Sequence, residues 1–467
     1  MAPIGPVNTA AAAKRPDHPM GRKMSSTIPA NAHTTMPCID HNRSCAVRLP
    51  TIQNTAASTH MPNSSSDTTL SGPSRRSSSV VVSPSYSTTA PRRYPRTLGP
   101  VASPEPVLPD YGGACIANVY AALRQRQAPP AWLPGPAANA AQVVLLVLDG
   151  LGWLQLGERG ALAPTLAAME GGPITSVVPT TTATALTSIT TGCPPSAHEV
   201  LGYRVRVGTS DVLNVLRWRT AAGDARQLVD PTSFQSCPAF EGAAAPVVTR
   251  AEFEATGFTV AHLSGASLHG WRVPSSLPVE VGRLLREGHP FVNAYYDGID
   301  KVAHERGFGP FFDAEVKAAD ALVADVAEAL PRGAVLVVTS DHGQVEVGDR
   351  TLALPAAVLN QSVLVSGEGR FRWLHARPGC RDRLATAAEE AFGDVAWVRT
   401  VDELDDERWF GGRLAPTGRA RLGDVALIAR DLVAFADPAD PGELALRCRH
   451  GSVTAAEMLV PLLAVGA

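Results

Sequence analysis

"AQVVLLVLDG" (Ala141–Gly150) is the stretch on which the reading of this chain turns. Val143 to Leu148 are all apolar, with no polar position at every second residue, and the run stops at Asp149-Gly150. A strand apolar on both of its alternating faces is buried on both, as inner strands of parallel sheets are. "PFVNAYYDG" (Pro290–Gly298) and "AVLVVTSDHG" (Ala334–Gly343) repeat the design. Between them, "DAEVKAADALVADVAEAL" (Asp313–Leu330) places Val316, Ala319, Leu322, Val323, Val326 and Leu330 at helical spacing. Strands alternating with helices predict an α/β fold with a mainly parallel sheet covered on both sides. In such sheets the ligand crevice lies beyond the carboxyl ends of the strands. Each of the three runs puts an aspartate there: Asp149, Asp297 with Asp300 just after it, and Asp341.

The chain has 467 residues, and its charge is unevenly spread. Residues 1–96 hold 11 Lys+Arg against 3 Asp+Glu, and the remainder 30 against 41. An acidic body argues against nucleic-acid binding, which needs a basic face, and suits a protein that holds cations. Residues 1–96, rich in Ser, Thr, Pro, Ala and Arg, bury too little apolar surface to offset chain entropy. They are expected to be disordered, with the folded domain over 97–467. The Arg- and Ser-rich, acid-poor composition also describes an organelle transit peptide. Within this segment "CIDHNRSC" offers Cys38, His41 and Cys45 as metal donors, although a solvated tail is the simpler reading. The seven cysteines have no repeating spacing, which predicts reduced thiols rather than a disulfide framework. No stretch reaches the ~18 apolar residues of a membrane span, and no apolar leader core is present, so the expected location is the cytoplasm. The stretch 193–289 reads as an irregular excursion that roofs the site.

Four separated pieces carry metal-ligand chemistry. Asp149 ends the first strand. Asp300 and His304, four apart in "DGIDKVAHERG", share one side of a helical turn. Asp341 and His342 form "SDHG", and His450 stands in "RHGS". Singly, each has an ordinary role: an aspartate caps a loop, a histidine braces scaffolding, an i, i+4 pair lies on a solvated face. Together at strand ends they make three carboxylates and three imidazoles, a set that suits zinc and also admits manganese.

In that order and spacing the chain resembles the alkaline phosphatase superfamily, specifically its type I phosphodiesterase/nucleotide pyrophosphatase branch, from about Gln142 onward. The resemblance implies a three-layer α/β/α sandwich with a mixed, mostly parallel sheet and two zinc ions per chain at the strand ends. Asp149, Asp341 and His342 would hold one ion together with the nucleophile, and Asp300, His304 and His450 the other. The branch uses a threonine nucleophile in a Pro-x-x-Thr segment that opens a helix and ends in Thr-Gly. "PTTTATALTSITTG" (Pro179–Gly192) fits that frame and puts the nucleophile at Thr182, with Thr180 and Thr181 as bystanders. The implied reaction is hydrolysis of a small phosphate ester through phospho-Thr182. A metal-coordinated hydroxyl is an activated nucleophile, and a helix N-terminus suits an anionic phosphoryl group.

Two positions depart from the branch. Nucleotide-cleaving members have an aromatic after the nucleophile, where this chain has Ala183, and an asparagine three residues after it, where this chain has Ala185. A base-stacking platform is worth ~1–3 kcal/mol, so its loss argues against a nucleotide substrate. Arg204, Arg206, Asn214 and Arg217, in "GYRVRVGTSDVLNVLRWR", are the expected replacement phosphate contacts. His198 is read as structural. A phosphodiesterase or pyrophosphatase is the leading expectation. A phosphomonoesterase or phosphonate hydrolase with the same site is the alternative, and a non-catalytic metal- and phosphate-binding homologue is the alternative of another class. A sulfatase is set aside because "CPPSA" at Cys193 lacks the arginine of that branch.

Overall fold

The computed structural model describes residues 105–467 apart from 126, 127 and 139. Residues 1–96, with Cys38, His41 and Cys45, lie outside the described residues. The three apolar runs form adjacent parallel strands of a seven-stranded sheet. In chain order the strands are β1 (Gln142–Leu148), β2 (Glu170–Thr175), β3 (Pro246–Arg250), β4 (Ser267–Trp271), β5 (Phe291–Tyr296), β6 (Ala334–Thr339) and β7 (Leu459–Gly466). The spatial order is β2-β7-β6-β1-β5-β3-β4. β6, β1, β5, β3 and β4 pair in parallel, while β7 runs antiparallel to both β6 and β2. The sheet is therefore mixed and mostly parallel, as expected.

Alternation along β1 divides the core. Val143, Leu145 and Val147 face one apolar cluster, and Val144, Leu146 and Leu148 face another. The first cluster is covered by the helix Ile116–Arg124 and by α1 (Thr182–Thr191). The second is covered by the helix Ser276–Arg286 and by α3 (Pro310–Glu328), which buries Val316, Ala319, Leu322, Val323 and Val326 as its spacing predicted. α2 (Gly298–Arg306) follows β5 directly.

The register sets the site. Val147 pairs with Thr339 and Leu148 with Tyr296, so the residues one and two steps on, Asp149, Asp297 and Asp341, emerge at one sheet edge. Gly150 makes the turn possible: its φ is +76°, and an added Cβ would lie 3.0 Å from Asp300 Cβ and 3.1 Å from its Cα. Left-handed backbone with a side chain costs ~1–2 kcal/mol, and overpacking ~1–3 more. Gly150→Ala is expected to destabilise the protein by about 2–4 kcal/mol in urea unfolding. A loss below about 0.5 kcal/mol would show that the turn relaxes without moving Asp300.

Two features differ from the sequence reading. The 193–289 stretch is not irregular throughout, because β3 and β4 arise from it and extend the main sheet. Both are short, and β4, "SLHGW", has no continuous apolar run. A second, four-stranded antiparallel sheet, Ser362–Glu368, Phe371–Ala376, Val425–Ala429 and Ala396–Thr400, lies between β6 and β7 in the chain. It has its own apolar core with the helix Arg381–Phe392. Among the described residues the five cysteines are free thiols, and no helix is long and apolar enough to cross a membrane.

Candidate metal centre

Six side chains meet at the sheet edge in two groups: Asp149, Asp341 and His342, and Asp300, His304 and His450. In the first, His342 Nε2 lies 3.5 Å from Asp149 Oδ1 and 3.4 Å from Asp341 Oδ2. In the second, Asp300 Oδ1 lies 3.3 Å from His304 Nε2 and 3.8 Å from His450 Nε2, and the two Nε2 atoms are 3.3 Å apart. The His342 and His450 rings stack at 3.6 Å, so the groups are neighbours.

Hydrogen bonding defines what these atoms are. His342 Nδ1 faces Gly343 O at 3.1 Å, His304 Nδ1 faces Cys448 O at 2.7 Å, and His450 Nδ1 faces Thr180 O at 2.8 Å. A carbonyl only accepts, so each Nδ1 carries the proton and each Nε2 presents a lone pair. The carboxylate oxygens facing them, Asp149 Oδ1, Asp300 Oδ1 and Asp341 Oδ2, are buried and have no hydrogen-bond partner. Three nitrogen lone pairs therefore face three carboxylate oxygens that no neighbouring N–H or O–H of the protein satisfies. Buried acceptors gathered without donors are costly, and a cation satisfies all of them at once. The donor set fits zinc, which takes mixed imidazole and carboxylate ligands.

The electrostatics agree. Burial pushes the Asp149 carboxyl well above its ordinary range, with the Asp341 and Asp300 charges adding to it. Burial likewise raises Asp300 and Asp341, lowers His342, and lowers His450 well below normal, helped by the neighbouring His342 and His304. A bound cation would invert the balance for the acids by favouring their ionised forms, and it takes the neutral imidazoles that burial already favours.

Thr182 is the first residue of α1, and its Oγ1 is 3.1 Å from His342 Nε2. Because that nitrogen is an acceptor, the hydroxyl donates to it. First-turn N–H groups of a helix have no partner within it, so α1 presents donors and a positive dipole end beside Thr182. The rest of α1 is wholly buried; Thr184 Oγ1 has no hydrogen-bond partner, and the other hydroxyls are occupied locally. Thr187, Thr190 and Thr191 donate to the carbonyls of Ala183, Leu186 and Thr187. His198 Nδ1 accepts from Val200 N, so its Nε2 donates to Ser188 Oγ at 2.8 Å, and burial lowers its pKa to about 3. His198 thus braces α1 as a neutral ring.

Thr180 does more than stand by. It donates from Oγ1 to Ser452 O at 2.7 Å, accepts from Gly451 N at 3.0 Å, and its carbonyl takes the His450 proton. The loop it holds is pinned from the other side by Glu457. That carboxylate accepts from Ser452 N, Thr454 Oγ1 and the fully buried Arg370, whose Nε and Nη2 approach at 2.8 and 2.7 Å. Tyr295 donates to the second Asp149 oxygen, and Asp297 binds Arg250 at 2.8 Å and pairs with Lys301 rather than joining either group of donors. Tyr295 and Asn293 were missed as site residues, although period-two alternation in "NAYYD" places them on the face of Asp297.

The four expected phosphate contacts are not brought to Thr182. Arg204 is buried against Asp437 and Asp440, Arg206 donates to Ala420 O, Asn214 to the Tyr203 hydroxyl, and Arg217 N to Asn214 Oδ1. None lines the cavity that opens at Thr182. The partners of Arg204 and Arg206 are distant in the chain, which charge alone in a hairpin does not reveal.

Beside the His450 loop, Glu368 is buried with one oxygen accepting from Tyr203 N at 3.3 Å and the other orphaned. Burial raises its pKa from 4.5 to about 8, only partly opposed by the Tyr203 N–H and Arg372. A raised acid binds its proton longer in the folded state, so stability falls as pH rises from the unfolded value toward about 8. The slope is about 1.4 kcal/mol per pH unit for one proton. Glu368→Gln is expected to remove this contribution, so its stability relative to the parent should grow from pH 5 to pH 8 in urea titrations. A difference that stays constant with pH would mean that Glu368 is ionised throughout.

A sequence model of the type I phosphodiesterase/nucleotide pyrophosphatase family matches residues 143–452. Among solved structures, murine ectonucleotide pyrophosphatase/phosphodiesterase 5 is similar with a TM-score of 0.52, over 69% of this chain and 87% of that one, at 14% identity. An inactive variant of the murine protein in complex with AMP and the human protein of the same name match with the same values. At this identity the likeness is one of fold. No curated protein sequence matches the chain.

Proposed function

Because the chain belongs to the type I phosphodiesterase/nucleotide pyrophosphatase family, we propose that it is a metal-dependent hydrolase of phosphoric esters that acts through Thr182. The observation that carries this reading is the set of three Nε2 lone pairs facing three orphaned carboxylate oxygens, with the Thr182 hydroxyl alongside. Asp149, Asp341 and His342 would hold one ion, and Asp300, His304 and His450 the other. Two divalent cations, zinc from the donor set or else manganese, would supply Lewis-acid charge neutralisation and a lowered pKa for the threonine hydroxyl.

Thr182 Oγ1 attacks phosphorus in line. The new O–P bond forms as the bond to the departing alkoxide breaks, leaving phospho-Thr182. Water then attacks the same phosphorus, the Thr182–phosphorus bond breaks, and the phosphate product leaves with the hydroxyl restored. The first-turn N–H groups of α1 would donate to the non-bridging oxygens, and their fixed dipoles would favour the charge that develops there. They take the role that an arginine or asparagine side chain was expected to fill.

The test joins metal content and turnover on one purified sample. Two metals per chain with faster cleavage of bis-p-nitrophenyl phosphate than of p-nitrophenyl phosphate is the expected result. Faster monoester cleavage would transfer the reading to a phosphatase, and no metal uptake after zinc loading would sink it.

A further inference from the structure

Beyond Thr182 a cavity of about 240 Å³ runs between α1, the face of the sheet and the 193–289 excursion. Its wall is mostly apolar and includes Leu186, Ile189, Leu216, Val247, Phe253 and Phe258, and Asp149, Thr182, Asp300 and Lys301 line it on the side of the candidate metal centre. We infer that this cavity receives the ester substituent that stays on phosphorus, and that the substituent is a compact apolar group, an alkyl chain rather than a nucleoside. The inference rests on the reading of Thr182 as nucleophile, since that residue places phosphorus on that side.

Several of the polar groups in the wall are already committed. Thr190 Oγ1 donates to Leu186 O, Thr256 Oγ1 donates to Thr259 Oγ1, His262 Nδ1 bonds Phe258 O at 2.7 Å, and the Tyr295 hydroxyl bonds Asp149. Thr249 Oγ1 and His262 Nε2 are among the few uncommitted groups in this wall, so a base entering the space would leave most of its own donors and acceptors unpaired, and such mismatches are rejected. The aromatic rings offer no parallel slot. Phe258 is stacked on His262 at 4.0 Å, and Phe253 and Tyr295 stand tilted by 51° with centroids 6.3 Å apart. The helix adds no platform either, because Ala183 and Ala185 are fully buried in the core. The size fits a short chain: at ~30 Å³, the liquid volume of a water and close to that of a methylene, the space holds roughly eight groups. Each methylene buried there is worth roughly fourfold in affinity.

Binding is measured by calorimetry on the full chain carrying Thr182→Ala, in zinc, with hexylphosphonate, methylphosphonate and thymidine 5′-monophosphate. Hexylphosphonate is expected to bind at least about 100-fold more tightly than methylphosphonate, and more tightly than the nucleotide. Leu216→Trp, which fills the cavity from the excursion, is expected to narrow the hexyl-to-methyl ratio at least about tenfold. Equal affinity for the two phosphonates, or tighter binding of the nucleotide, overturns the inference and leaves the phosphoryl site standing. Failure of all three to bind overturns both. Hexyl preference with no ester turnover by the parent protein upholds the pocket and sinks the reaction assigned to Thr182.

Discussion

Thr182→Ala is expected to abolish ester hydrolysis, by about 10⁴-fold or more, while zinc content and unfolding midpoint stay at parent values. Removing a covalent nucleophile elsewhere costs on that scale or above; Thr182 Oγ1 is the hydroxyl that bonds His342 Nε2, whereas Thr180 is tied to the His450 loop and Thr187 to its own helix. Zinc is expected to remain because Asp149, Asp341 and His342 form a complete donor group without the threonine. The fold is expected to remain because the hydroxyl's one protein contact is with His342 Nε2, itself facing the two acids. Thr182→Ser should keep measurable turnover, since it retains the attacking oxygen. Parent-level rates in the alanine variant would remove Thr182 from the mechanism. Loss of zinc along with activity would instead assign the threonine a role in holding the metal.

Asp300→Asn is expected to act in opposite directions on the two forms of the protein. With zinc present, the content should fall from two metals to one per chain, and turnover should fall by about 10³-fold or more. Asp300 Oδ1 is the atom that faces both His304 and His450, so no other ligand of that group can replace it. After chelation the same variant should be more stable than the parent. Asp300 is buried with an orphaned oxygen, and burial raises its pKa. A neutral amide removes that uncompensated charge, while the parent gains more than the variant when metal is restored, because only it binds the second ion. Metal counting with urea unfolding in chelator and in zinc checks both halves. Two metals and unchanged rates in the variant would show that this group of donors is not a cation site.

Much of this was legible because the relevant physics is local or periodic. Apolar runs buried on both faces are hard to place anywhere but in the middle of a parallel sheet, and strand register then gathers Asp149, Asp297 and Asp341 without further information. An i, i+4 pair on one turn needs only helical geometry to join Asp300 to His304. What escaped depends on contacts between residues far apart in the chain. Arg204 resembles a substrate contact until Asp437 and Asp440 appear beside it. Arg370 is fully buried, because Glu457 and three backbone carbonyls neutralise and saturate it. The second sheet was missed because three of its four strands are interrupted by polar residues and one carries a bulge near Ser362 and Leu364, which blunts alternation. Thr180 was read as a spare hydroxyl since its partners, Gly451 and Ser452, lie 271 and 272 positions on.

The place of β7 in the sheet bears on how the chain is made. This strand sits between β6 and β2, yet its residues, 459–466, are translated after every other strand of that sheet. His450 belongs to the same late stretch. A nascent polypeptide on the ribosome therefore carries a sheet with an open slot and only one complete group of metal donors. If the two donor groups work together as proposed, closing the slot and completing the centre are one late event in synthesis.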